Sequence, residues 1–421
     1  MRLYLKNIGM IKEADVKLDG LTVIAGENDT GKSTIGKVVF SLVKGIQKYE
    51  ESLESKYRKE IIRYLDNFYA RYHIKIEKSK NGFLFFPPIF TDNILKIRKN
   101  NKENFDKFIK NYIKLVNQID NSEMLKDFKL LIAKIKETFK DNDLKILQEE
   151  ALRRAFFSEF RNQLVSKKEG IIKIYEGKEK KIEIEINKNG IKLENSLDIN
   201  LDDVTLIETP IILNFSDMIQ RAKSHFEEEE LNKTLIRLES DVVYHSKDLI
   251  NKLTNAAKYG EYKIEEKLLS YLKFDFKYND VTSEFVYVKN NKEFSSINVA
   301  DGIKSFGIIK LLLKGSYIKE NTLLIIDEPE VHLHPKWQIE YAKLIIELVK
   351  KDIKVLITSH SPFFIDAIDK LSYDIKRNYY FAENGIIKKD NDLKLMYEKL
   401  NVAIDELENL EIEEMFFKAK N

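Results

Sequence analysis

The chain has 421 residues, 43% hydrophobic and 33% charged, enough for a full core and further lobes. Its 71 Lys and Arg nearly balance 69 Asp and Glu, so the net charge of +2 does not indicate a global polyanion-binding field. The absence of cysteine excludes disulfides, thiolate metal sites and cysteine nucleophiles. No apolar run approaches the ~18 residues that span a bilayer. Met1 to Leu5 alternates like a strand rather than a secretory signal, so a cytoplasmic location without a membrane partner is expected.

In chain order, Leu3 and Leu5 alternate, Gly9 marks a turn, and Ala14, Val16 and Leu18 alternate again. Leu21 to Ala25 is a continuous apolar run, the mark of a strand buried on both faces, and it feeds a Gly-rich loop and a helix from Ser33 to about Lys44. From Gln47 the pattern changes to Lys- and Glu-laced helical segments (Phe105 to Ile119, Met124 to Phe139, Leu147 to Leu164), then short alternating strands at Ile171 to Tyr175, Lys181 to Ile186 and Gly190 to Leu193. Val204 to Ile207 is a candidate core strand ending at Glu208-Thr209-Pro210. Ser216 to Leu272 is expected to be helical and carries an acidic run, Glu227 to Glu230, expected to be a solvated face. Strands at Thr322 to Ile326 and Lys354 to Thr358 alternate with helices at Ser305 to Leu313, Lys336 to Lys350 and Pro362 to Leu371, which argues for a parallel sheet with right-handed crossovers. The expected division is 1–46, first part of an α/β core; 47–200, an inserted helical and hairpin lobe; 201–284, a linker strand and second helical lobe; and 285–421, the rest of the core.

Three segments carry chemistry. Gly26-Glu27-Asn28-Asp29-Thr30-Gly31-Lys32-Ser33 fits G-x-x-x-x-G-K-[ST] between a buried strand and a helix. Its backbone N–H groups, with Gly26, Asn28, Thr30, Gly31 and Thr34, would cradle phosphates. Lys32 would reach the β- and γ-phosphates of ATP and Ser33 would place its hydroxyl on Mg²⁺. The apolar strand ending in Asp327-Glu328 offers one carboxylate to the metal shell and one, Glu328, to polarise the attacking water. A further apolar strand ends in Thr358-Ser359-His360, with His360 placed to sense a γ-phosphate. His332 and His334 lack metal-site spacing and read as a contact loop between subunits.

Asp327-Glu328-Pro329-Glu330 with His332-Leu333-His334-Pro335, then Thr358-Ser359-His360-Ser361-Pro362, resembles the ABC-type P-loop ATPase heads of the OLD (overcoming lysogenisation defect) family, relatives of RecF and the SMC proteins. The resemblance implies a mostly parallel α/β head with inserted lobes. It also implies a homodimer or higher oligomer in which each ATP is held by the Gly-rich loop of one subunit and a signature loop of the other. The signature matches Val299-Ala300-Asp301-Gly302-Ile303-Lys304-Ser305. It keeps the glycine, Gly302, has Ala300 where serine is usual, and brings in an acid, so Lys304 or the helix N-terminus is expected to supply the positive charge. Glu208-Thr209-Pro210 matches the glutamine-loop position. Nucleases of that family carry a C-terminal Toprim domain. Here only residues 369–421 follow Ile368 and no strand ends in Asp-x-Asp, so that domain is not expected.

The resemblance thus implies an ATP-hydrolysing dimerisation switch in bacterial defence against phage or foreign DNA, with a separately encoded effector. One alternative is a RecF-like ATPase with a nucleic acid as partner. Another is an ATP-gated RNase carried in the inserted lobes, whose candidate cluster is Arg237, Glu239 and His245.

Overall fold

The computed structural model describes residues 1–100, 102–119, 123–139, 144–194, 199–221, 242–390 and 392–402. The elements begin β1 (Arg2–Ile8), β2 (Ile11–Lys17), β3 (Leu21–Gly26), α1 (Lys32–Glu77), α2 (Pro87–Asn100), α3 (Lys102–Ile119), α4 (Glu123–Thr138) and α5 (Leu144–Phe160). They continue with β4 (Glu169–Glu176), β5 (Glu179–Asn187), β6 (Gly190–Leu193), β7 (Asp203–Ile207), α6 (Ser216–Arg221), α7 (Tyr244–Tyr259), α8 (Glu266–Leu269), β8 (Asp275–Asn279), β9 (Glu284–Lys289) and β10 (Lys292–Ser295). The last are α9 (Asp301–Lys314), β11 (Thr322–Asp327), α10 (Pro335–Val349), β12 (Lys354–Ser359), α11 (Pro362–Leu371), β13 (Arg377–Glu383), β14 (Ile386–Lys389) and α12 (Leu393–Leu400). Among the described residues no helix is long and apolar enough to cross a membrane.

Two compact units are formed, one from Met1–Ile46 with Glu149–Asn421 and one from Gln47–Gln148. The first is built on an 11-stranded sheet of order β6-β5-β4-β1-β2-β14-β13-β3-β12-β11-β7. Strands β13, β3, β12, β11 and β7 run parallel to one another. Their continuous apolar sequences follow from burial on both faces. Val23, Ala25, Leu324, Ile326, Val355 and Ile357 join a core packed by α7, α9, α10 and α11. Ile24, Leu323, Ile325, Leu356 and Leu206 join the opposite core, packed by Ile35, Val38, Val39 and Leu42 of α1. β8, β9 and β10 form a separate antiparallel sheet.

Three expectations need adjustment. The helix after the Gly-rich loop runs to Glu77 rather than ending near Lys44. Gly45 lies inside this helix and makes room for Leu152 and Ala155 of α5: a Cβ there would lie 3.1 Å from Leu152 Cδ2. The hairpins expected within the 47–200 lobe pack in the first unit, because β4 pairs antiparallel with β1 (Leu3 opposite Ile174, Leu5 opposite Ile172) and buries Ile172, Ile174, Ile182 and Ile184. Between Ser216 and Leu272 the described helices are α6, α7 and the single turn α8, while Glu227 to Glu230 lie outside the described residues.

The second unit has an aromatic core of its own. Phe105, Ile109, Tyr112 and Val116 fall on one face of α3, and Tyr112 meets Phe90 edge-on with ring centroids 4.8 Å apart.

Candidate active site

The functional segments all leave the C-terminal ends of adjacent parallel strands, where α/β sheets hold their ligands. The register aligns Ala25 of β3 with Ser359 of β12, Asp327 of β11 with Thr358, and Ile207 of β7 with Ile326. The loop after β3 depends on two glycines. A Cβ at Gly26 would lie 2.4 Å from the Ala382 carbonyl oxygen, and Gly31 has φ +92°, which L side chains rarely adopt. Asn28 is exposed in the turn. Thr30 Oγ1 donates to the Glu27 carbonyl (2.8 Å) and the Thr34 N–H to that of Gly31 (3.2 Å), so side chain and backbone both brace the loop.

Lys32 opens α1 with its ammonium inside the loop, donating to the Glu27 carbonyl (2.6 Å) and lying 3.9 Å from Glu328 Oε1. Burial pushes this ammonium down, against the pull of Glu328 and Asp327. Ser33 Oγ donates to Asp327 Oδ1 (3.0 Å), which Thr358 Oγ1 also contacts. Burial pushes Asp327 up, against these two hydrogen bonds. A hydroxyl and a carboxylate oxygen side by side are the hard donors Mg²⁺ takes, and a cation there would relieve the burial of Asp327, so the residues fit that ion.

Glu328 has φ +48°, a conformation that costs on the order of 1 kcal/mol for a residue with a Cβ. It is secured by its N–H, which lies 3.1 Å from the Thr358 carbonyl and 3.2 Å from Thr358 Oγ1. The turn places Glu328 Oε1 between Lys32 and His360, 3.2 Å from His360 Nδ1. Glu330, 5% exposed, fixes the histidine from below. Its Oε1 accepts from Ser359 Oγ (2.7 Å), the His360 N–H (3.0 Å) and the Ser361 N–H (3.2 Å). Burial pushes the Glu330 carboxyl up. Sequence reasoning assigned no role to Glu330 or Thr358. The only signal was their presence inside the motifs, since a buried acceptor for the next loop has no periodicity of its own.

The signature segment differs from its expectation. Ala300 is exposed and N-caps α9 without a side-chain hydrogen bond. Gly302 is buried: a Cβ there would meet Leu333 Cδ2 at 3.1 Å and Trp337 Cε3 at 3.3 Å. Lys304 is also buried, and its ammonium donates to Asp301 Oδ1 (2.8 Å), so it neutralises the nearby acid rather than facing solvent. Of the two candidate sources of positive charge, the N-terminus of α9 is the exposed one. His332 lies 3.7 Å from Asp301 Oδ2, and His334 caps α10 by accepting from the Lys336 N–H (3.3 Å). A cavity of about 280 Å³ joins this region to the carboxylates, lined by Glu208, Thr209, Ser305, Asp327, Glu328 and His332.

Of the candidate RNase cluster only His245 lies among the described residues. Arg237 and Glu239 lie outside the described residues. His245 is 1% exposed, with Nδ1 2.6 Å from Glu159 Oε2 and Nε2 2.9 Å from Glu208 Oε2, so neither ring nitrogen is available to a polynucleotide.

A family model described as AAA ATPase domain matches residues 1–365. Among curated proteins, Endonuclease GajA of Bacillus cereus (strain HuB5-5) is 24% identical over 448 residues, an alignment covering 92% of this chain and 61% of that protein. The chain thus spans about three fifths of that relative's length. Solved structures that match include the SMC head domain from Thermotoga maritima, at 11% identity and TM-score 0.37, covering 92% of this chain and 97% of that one. The ADP conformation of an ATP-binding cassette of an ABC transporter matches at 12% identity and TM-score 0.34, with 95% of each chain covered. With its family model covering most of the sequence and a Gly-rich loop set between strand and helix, the chain belongs to the AAA ATPase domain family: it is an ATPase on an α/β P-loop fold.

Proposed function

We propose that the chain is an ABC-type, OLD-like ATPase that works as a nucleotide-driven dimerisation switch, in bacterial defence and with a separate effector. The observation that carries the hydrolytic part is the placing of the Glu328 carboxylate between Lys32 and His360, beside the Ser33–Asp327 pair. In this reading Lys32 and the loop N–H groups bind the β- and γ-phosphates. Ser33 and Asp327 would hold Mg²⁺, which would supply positive charge beside the phosphates. Glu328 orients a water against the γ-phosphorus and takes its proton as the bond to the ADP oxygen breaks, giving ADP and phosphate. His360, held by Glu330, donates to a γ-phosphate oxygen.

The dimer supplies the N-terminus of α9 across the interface. The relative named as an endonuclease supports a link to nucleic-acid cleavage. We place that cleavage in the effector, because of the described carboxylates at the cavity Asp327 and Glu328 serve the ATPase reading and Glu208 is paired with Lys37 and His245.

The composite site is tested by mixing two variants. Ala300 is exposed, so Ala300→Asp caps α9 without disturbing packing, while its charge opposes a phosphate docking there. Ala300→Asp and Lys32→Ala homodimers are each expected to be inactive. In an equimolar mixture half of the dimers are hybrids with one intact site, so activity recovers to about a quarter of parental if the sites fire independently. No recovery despite proven hybrids would contradict an independent composite site.

A further inference from the structure

At the cavity wall and behind it lie four further charged side chains, of which only Glu208, at the glutamine-loop position, falls in an ATPase motif named above. Glu208 follows β7 at the cavity wall, and its two oxygens are divided between two cations. Oε1 accepts from Lys37 Nζ at 2.9 Å and Oε2 faces His245 Nε2 at 2.9 Å. Lys37 stands four residues after Ser33, on the same face of α1. His245 opens α7, with its ring edge-on to Phe40 (centroids 6.1 Å apart). Its Nδ1 lies 2.6 Å from Glu159 Oε2, and its backbone N–H donates to Glu159 Oε1 (2.9 Å).

A ring whose two nitrogens both face carboxylate oxygens carries hydrogen on both. Burial alone would push this imidazole down, but the charges of Glu159 and Glu208 outweigh it and raise it to about 9. The hydrogen bond from His245, with the charge of Lys37, holds Glu208 down to about 2. Buried ion networks are weak stabilisers against apolar packing of the same volume, so their presence calls for a reason other than stability. Here the arrangement has a direction: Glu159 and His245 are buried, and only Glu208 reaches the cavity, with 39% of its side chain exposed.

We infer that the buried His245–Glu159 pair is a positioning element for hydrolysis, fixing Glu208 towards the nucleotide cavity and so tying α5 and α7 to the occupancy of the site. The inference rests on that cavity belonging to the nucleotide site proposed above. His245 touches no substrate and acts through Glu208.

The experiment uses the full chain and compares Glu208→Gln, His245→Gln and their combination. Each single variant is expected to lower kcat about tenfold while KM stays within about twofold, and the double variant to be no worse than either, because both cut the same link. A second readout is hydrogen exchange of the α7 amides in a Glu328→Gln background. ATP with Mg²⁺ is expected to protect them, and adding His245→Gln to abolish that protection. Parental kcat in both single variants, effects that multiply, or α7 protection that survives His245→Gln would each overturn the inference. Should His245→Gln not fold, Glu208→Gln decides, since its partly exposed side chain permits the exchange. If Glu328→Gln is itself fully active, the site reading falls; if Glu328→Gln is dead while the clamp variants are parental, only the clamp falls.

Discussion

Glu328→Gln is expected to bind ATP with near-parental affinity and to lose roughly 10²–10⁴ of kcat, the usual contribution of a positioned general base. Glutamine keeps the shape, and the backbone that sets the side chain is untouched. The left-handed conformation of residue 328 is held by its own N–H against Thr358, not by the carboxylate. What is lost is the ability to accept a proton and the charge facing Lys32 and His360. Losing a charge so close to the phosphates favours ATP retention, so a longer-lived ATP-bound dimer is also expected, seen by size-exclusion chromatography with ATP and Mg²⁺. Parental turnover in this variant would mean the base lies elsewhere.

Lys32→Ala is expected to weaken ATP binding by roughly 100-fold or more, about 3 kcal/mol, as when a charge-assisted contact in a desolvated loop is removed. The fold should tolerate the change. Among the described residues the ammonium donates to the Glu27 carbonyl, and that carbonyl keeps Thr30 Oγ1 as a donor. Calorimetry measures the affinity, and a thermal melt in the absence of nucleotide separates loss of binding from loss of fold. Unchanged affinity would remove the phosphate-loop reading.

The parallel core was legible because burial on both faces leaves an unbroken apolar run. Leu21 to Ala25, Thr322 to Ile326 and Lys354 to Thr358 all read that way, and each ends where the chemistry begins. The strands at Ile171 to Leu193 were legible as strands but not as members of the same sheet. Alternation fixes a strand's faces, whereas its partner β1 lies more than a hundred and sixty residues away in sequence. The helix after the loop read as ending near Lys44 because the residue pattern changes there, whereas in the fold it runs on to Glu77, with Gly45 closing against Leu152. At the site, Lys32, Ser33, Asp327 and Glu328 follow from spacing, since each sits next to a glycine turn or strand end. Glu330, Lys37 and the His245–Glu159 pair do not, because their meaning comes from what tertiary packing buries beside them. Lys304 shows the converse: a cation in the expected place whose charge is spent on a neighbour, Asp301.

One Mg-nucleotide site built from the Gly26–Ser33 loop and the Asp327-Glu328 turn underlies each of these expectations. Its most direct test is a structure of the Glu328→Gln variant with ATP and Mg²⁺. The β- and γ-phosphates are expected within hydrogen-bond reach of Lys32 Nζ, the metal on Ser33 Oγ and Asp327, and the side chain of residue 328 facing the γ-phosphorus. Nucleotide bound away from Lys32, or a metal that touches neither Ser33 nor Asp327, would contradict it.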